Sequence, residues 1–217
     1  MVYNRKQIWT TVVLVAGYIM FQLVADVTAA KIMTIGPISL PAGTLIFALS
    51  FTWRDMLHKR LGKEWARAAI FTAAGCNVFM VAYFVLVIRL PAAAFWPNQD
   101  AFAMILGVVP RIAVASIVAE LVSQLIDTEI YHKLAPHTGG RRQWLRVLAS
   151  NGISLPVDSL IFGALAFGGT MPAVALWSIV VGQIVFKAAV TIVSLPAIYL
   201  VGGDSASHQA ANQRDAD

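Results

Sequence analysis

Apolar positions in this chain gather into six long runs, parted by short stretches where charged and small polar residues collect. The runs cover Ile8–Ala30, Ile38–Phe51, Ala66–Leu90, Ala103–Ile126, Leu145–Phe167 and Pro172–Val201. Crossing the hydrocarbon takes about 20 largely apolar helical residues, because it is about 30 Å thick and each residue rises about 1.5 Å. The pattern therefore predicts an all-α polytopic membrane protein with six transmembrane helices in one domain, residues 1–201. The second run is the shortest and carries Pro41 and Gly43 near its start. A broken or tilted helix is expected there, which a bilayer tolerates only against protein or a cavity. The first run is too long for a signal peptide and lacks an A-x-A-like site, so it reads as a retained span. Between the third and fourth runs, Phe95, Trp96 and Pro97 suit an interfacial aromatic cap. Residues 202–217 are small and polar without periodicity, and are expected to form a disordered cytoplasmic tail.

The basic residues orient these spans. Arg5 and Lys6 precede the first; Arg54, Lys59, Arg60, Lys63 and Arg67 lie between the second and third; Lys133, Arg141, Arg142 and Arg146 lie between the fourth and fifth; Arg214 is in the tail. That places twelve of the sixteen Lys and Arg on one side. Positive loops stay cytoplasmic, so both termini are expected inside. Composition supports a membrane solvent: 59% of residues are hydrophobic and 12% charged, against about 45–50% and about 25% in soluble proteins. Mean hydropathy is +0.73. The net charge of +5 sits between apolar runs and suits membrane orientation better than a nucleic-acid patch, so no nucleic-acid partner is expected.

Candidate chemistry lies in the polar residues that interrupt the spans. An ionisable group in hydrocarbon costs at least ~2.5–3.5 kcal/mol on insertion scales, so such groups face a bundle interior and often mark a pathway. In the fourth span Ser116, Glu120, Ser123, Gln124 and Asp127 fall on one helical stripe, with Ile117, Val118, Leu121, Val122 and Leu125 opposite. The stripe reads either as a seam joining helices or as the lining of a polar path; two acids and an amide exceed what a seam requires. The sixth span carries Gln183, Lys187, Thr191 and Ser194 at one-turn spacing. Lys187 is too central to snorkel and needs an acid, with Asp158 or Glu120 as cross-helix candidates. The fifth span offers Asn151, Ser154 and Asp158 around Pro156, which frees a backbone carbonyl. Gln22 and Asp26 are one turn apart in the first span, and Asn77 in the third reads as an interhelical hydrogen bond. In the spans Asp26, Glu120, Asp127 and Asp158 outnumber Arg111 and Lys187. A cavity so lined favours a cation, a proton or a neutral solute rich in N–H donors over an anion.

Several chemistries lack their residues. There is no G-x-x-x-x-G-K-[ST] phosphate loop, no H-E-x-x-H and no G-x-S-x-G. Cys76 stands alone, and His58, His132, His137 and His208 fall in loops or the tail. No metal site, cofactor or enzymatic activity is expected.

At these residues the chain resembles the YhhQ-type family of queuosine precursor transporters, also called the vitamin uptake transporter family. The resemblance rests on R-D-M-L-H-K-R-L-G-K-E-W-A-R (Arg54–Arg67), the stretch Arg111–Leu134, R-R-Q-W-L (Arg141–Leu145), P-V-D-S-L-I-F (Pro156–Phe162) and F-K-A-A-V-T-I-V-S-L-P (Phe186–Pro196). The first span departs from the family pattern, with Asp26 and Thr28 where an Asn is usual. The resemblance implies a six-helix importer of the cell inner membrane that brings in 7-deazaguanine bases for queuosine in transfer RNA. It places Asp55, Arg111, Ser116, Gln124, Asp127, Asp158 and Lys187 among the functional positions; Glu120 rests on helix geometry alone. A carboxylate suits the adjacent N–H donors of a deazaguanine edge, and an amide or ammonium suits its carbonyl. Asp127 or Asp158 would take the donors and Gln124 or Lys187 the oxygen, with Gln22, Asp26, Ser116, Ser123, Asn151 and Gln183 as further lining. Phe162, Phe186 or Tyr131 would stack on the ring. The transport is expected to be secondary or facilitative. The rivals are a substrate-capture subunit served by a separate ATPase, as in energy-coupling-factor importers, and an intramembrane enzyme built on Asp55, Asp127 and Asp158. The protein partners left open are none or a second copy in a homodimer.

Overall fold

The computed structural model of this protein describes residues 5–138 and 143–200. Its elements run α1 (Arg5–Thr28), β1 (Ile32–Ile35), β2 (Ile38–Pro41), α2 (Gly43–Leu61), α3 (Lys63–Arg89), α4 (Gln99–Leu106), α5 (Val109–Thr138), α6 (Gln143–Phe167) and α7 (Ala173–Leu200). Among the described residues, five stretches are long and apolar enough to cross a membrane: Ile8–Thr28, Glu64–Arg89, Gln99–Asp127, Leu148–Phe167 and Ala173–Ser194. The protein is therefore a predominantly helical, multi-pass membrane protein. The predicted tail lies outside the described residues.

The second apolar run departs most from expectation. Ile38–Pro41 is not the start of a helix but a strand, paired antiparallel with Ile32–Ile35 in the register Ile32↔Pro41 to Ile35↔Ile38. Gly36, at φ 57°, is the first central residue of the two-residue turn, where a hairpin favours glycine. The helix begins only at Gly43 and continues to Leu61, through the charged positions Arg54, Asp55, His58, Lys59 and Arg60. It is absent from the five apolar crossings because these charges occupy its second half. Instead of a broken helix, the chain enters α2 through a hairpin. The fourth run also divides, with α4 ending at Leu106 and α5 starting at Val109; Pro110 sits in the first turn of α5, where its missing N–H has no helical partner to lose.

Small residues bring the helices close. Ala29, Ala115, Ala119 and Ala166 pack with Ile112, Phe162, Phe167 and Ile179 at one end of the bundle. Ala66, Ala69 and Ala73 pack with Leu14, Tyr18 and Leu57 toward the other. In hydrocarbon no hydrophobic force pulls helices together, so such close van der Waals contact supplies the association. The hairpin uses the same device. Leu40 and Pro41 are buried, a Cβ on Gly182 of α7 would collide with the Ser39 carbonyl, and one on Gly43 with the Ala25 carbonyl. Strand β2 lies directly against α7, and α2 starts directly against α1.

Candidate functional site

Five helices converge on a cavity at the end of the bundle where α1 finishes and α2 begins. Ala25, Asp26 and Ala29 come from the last turns of α1, and Gly43, Thr44 and Phe47 from the first turns of α2. Ser116 and Ala119 of α5, Asp158 and Phe162 of α6, and Gln183 and Lys187 of α7 complete the wall. The hairpin makes this possible, because it delays α2 until it meets α1 one turn before Thr28. The cavity volume is about 20 Å³, room for about one water molecule and too little for a heterocycle.

An ion pair forms part of the wall. Lys187 Nζ lies 2.6 Å from Asp158 Oδ2, and both side chains are 2% exposed. Ser123 donates to Asp158 Oδ1 at 3.3 Å, and Lys187 also meets Ser159 Oγ at 3.5 Å. The ammonium stands 5.0 Å from the centre of the Phe47 ring, where the negative ring face attracts a cation. Of the two acids suggested for Lys187, Asp158 is the one that holds it. Asp26 has no such cation among the described residues. Ser116 and Asn77 stand beside its carboxyl, yet its Oδ2 is buried without a hydrogen-bond partner, as is Gln183 Nε2.

Below the cavity lies a second polar layer. Tyr18 donates to Glu120 Oε1 at 2.6 Å, Gln22 Nε2 reaches both carboxylate oxygens at 3.0 Å, and Gln124 Nε2 donates to Oε1 at 2.9 Å. Arg54 of α2 is close enough for its charge to act on this carboxylate. Glu120 is half-buried, and a carboxylate drawn out of water needs such partners to offset its lost hydration. One turn further along α5, Asp127 accepts from Ser154 at 3.4 Å. From Ser116 to Asp127 the polar stripe of α5 therefore spans roughly 16 Å along the bundle, at about 1.5 Å per residue.

The expected site residues separate accordingly. Asp26, Ser116, Asp158, Gln183 and Lys187 line the cavity. Gln22, Glu120 and Gln124 form the layer beneath, and Ser123 connects the two by bonding Asp158 and the Glu120 carbonyl at 3.1 Å. Asp127 lies deeper, and half-buried Asn151 is not part of the wall. Arg111 serves another purpose: its Nε and Nη2 donate to the carbonyls of Leu165 and Gly168, at 2.7 and 2.5 Å. It thereby satisfies the open end of α6, whose last carbonyls have no helical donor. Among the ring candidates, Phe162 lines the cavity and Phe186 does not. The side chains of Asp55 and Tyr131 lie outside the described residues. Sequence reasoning missed Tyr18, Thr44, Phe47 and Arg54. For Tyr18 a signal was present, since Tyr18, Gln22 and Asp26 repeat at one-turn spacing.

Residues 41–201 match the family described as "Putative vitamin uptake transporter". The chain belongs to this family. A relative from Bacillus subtilis (strain 168), named "Probable queuosine precursor transporter", is 29% identical over 178 residues, covering 81% of this chain and 77% of the relative. No solved structure matches. Vitamin uptake transporter membership, the relative's name and the apolar helices together describe a multi-pass membrane transporter, not an enzyme.

Proposed function

We propose that this protein imports queuosine precursors, 7-deazaguanine bases, across the cell inner membrane by secondary or facilitative transport. One observation carries the reading: a cavity walled by Asp26, Asp158, Gln183 and Lys187 closes where five helices meet, with aromatic faces from Phe47 and Phe162. Two acids, an amide and an ammonium in a wall that also carries two aromatic rings suit a flat, neutral heterocycle whose edge mixes N–H donors with a carbonyl. The relative's printed name supports the same class of solute. Cytoplasmic termini, with α2 as a sixth crossing, put the cavity in the outer half of the bundle and the Glu120 layer beneath it. Polar groups then continue inward to Asp127, as an import path requires. The cavity is too small for a base, so each passage parts the walls; alternating exposure of a central site is the general scheme of such carriers.

The test uses a strain unable to make queuosine and lacking its own importer. Expression of this protein is expected to restore queuosine in transfer RNA when a 7-deazaguanine base is supplied at low concentration. Failure with every deazaguanine base, in cells that carry the protein in their membrane, defeats the proposal. Uptake by the purified protein alone in vesicles separates secondary transport from capture for an external ATPase.

A further inference from the structure

We propose that Asp26 and Gln183 read the edge of the transported base, Asp26 accepting from an exocyclic amine and Gln183 donating to the neighbouring ring carbonyl. This deepens the transport reading above and rests on it. Nearly all buried polar atoms in folded proteins have a hydrogen-bond partner, so an exception inside a cavity marks where a ligand's polar atom belongs. Among the described residues four buried side-chain atoms are unpartnered: Gln22 Oε1, Asn77 Oδ1, Asp26 Oδ2 and Gln183 Nε2. Only Asp26 and Gln183 belong to residues that line the cavity, and they are 2% and 1% exposed. One is an acceptor on α1 and the other a donor on α7. The remaining charged groups of the wall satisfy each other, since Lys187 is held by Asp158 at 2.6 Å.

Two residues of the wall thus carry one buried open acceptor and one buried open donor. Their complement is a planar edge with a donor at one end and an acceptor at the other. A 2-amino-6-oxo ring has this edge: carbonyl oxygen, ring N–H, amine. A ring with an amine in place of the carbonyl would turn N–H against Gln183 Nε2, donor against donor. A ring without the exocyclic amine would leave Asp26 Oδ2 buried and unanswered. Sites built to bond a polar group reject analogues lacking it far better than they reject a missing methylene, because the protein's own atom then stays unpaired.

The experiment measures equilibrium competition against radiolabelled 7-deazaguanine on the purified full-length protein. The competitors are 7-deazahypoxanthine, which lacks the amine, and 2,6-diamino-7-deazapurine, which replaces the carbonyl by an amine. The wild type is expected to prefer 7-deazaguanine to each by at least about tenfold, as for a bond to a charged or fully buried group. Asp26→Leu is expected to weaken 7-deazaguanine to the level of 7-deazahypoxanthine while leaving the latter nearly unchanged. Asp26→Ala, which also removes the acceptor, reads the same gap if Asp26→Leu is not recovered folded. Gln183→Glu is expected to invert the order of 7-deazaguanine and the diamino base, an outcome that a damaged fold cannot produce. Wild-type gaps below about threefold, or wild-type rank order retained in the Asp26 and Gln183 variants, overturn the inference while leaving transport intact. No binding of any deazaguanine by the wild type overturns the transport reading, and this inference with it.

Discussion

Lys187 of α7 and Asp158 of α6 form a 2.6 Å ion pair in which each side chain is 2% exposed. Neither charge has water to fall back on. Removing one partner strands the other, a loss of about 3–5 kcal/mol in soluble proteins. Lys187→Met alone is therefore expected to lower stability in detergent by about that amount. Combining it with Asp158→Asn is expected to return part of the loss, giving a coupling of about 0.5–3 kcal/mol in a double-mutant cycle. Additive losses would show that the pair is not coupled.

Tyr18 and Glu120 make the corresponding relationship in the deeper layer. Tyr18→Phe removes one donor from a carboxylate that keeps Gln22 and Gln124. The expected cost is about 1.5–3 kcal/mol, the range for hydrogen bonds to charged groups. Tyr83→Phe is the control: Tyr83 is 55% exposed on α3, and the change should stay within about 0.5 kcal/mol. Unfolding titrations of the two variants side by side check both values.

How much of this was legible in the chain follows from what each signal depends on. Helix α6 and helix α7 match their apolar runs within about two residues, because span length is imposed by the bilayer and not by neighbours. Lys187 and Asp158 stood out because charge is rare in hydrocarbon, and geometry then selected Asp158 over Glu120. Strand β2 was hidden inside an apolar run whose hydropathy suits helix and strand equally. The Gly36-Pro37 dipeptide was the local turn signal that marked it. Thr44 and Phe47 carry no charge, and only the late start of α2 brings them to the cavity. Arg111 carried charge but no information about its partners: the carbonyls it bonds are more than 50 positions away.

Arg111 consequently gives a prediction that separates anchoring from recognition. Arg111→Gln is expected to lower the thermal midpoint by loosening the end of α6. If the protein carries deazaguanine bases as proposed, their relative uptake should stay unchanged. A shift in preference between two bases would place Arg111 among the groups that meet the solute.

Close approach at the hairpin is tested by single methyl groups. Gly182→Ala drives a Cβ into the Ser39 carbonyl, and overpacking of this kind costs typically about 1–3 kcal/mol. Gly75→Ala, in the middle of α3 with nothing within 4 Å of the added carbon, is expected to be neutral or to gain up to about 1 kcal/mol from helix propensity. Folded yield and unfolding midpoint should fall for Gly182→Ala and hold or rise for Gly75→Ala.

The tight seating of β2 also sets how this protein tolerates change over generations. Phe79, 74% exposed on α3, faces outward, and other greasy side chains of varied size suit that position. At Gly182 and Gly43 a single carbon is already too many. Drift is thus freest where the chain is bulkiest and narrowest where it carries no side chain at all, so a substitution's severity here tracks crowding, not the size of the residue replaced.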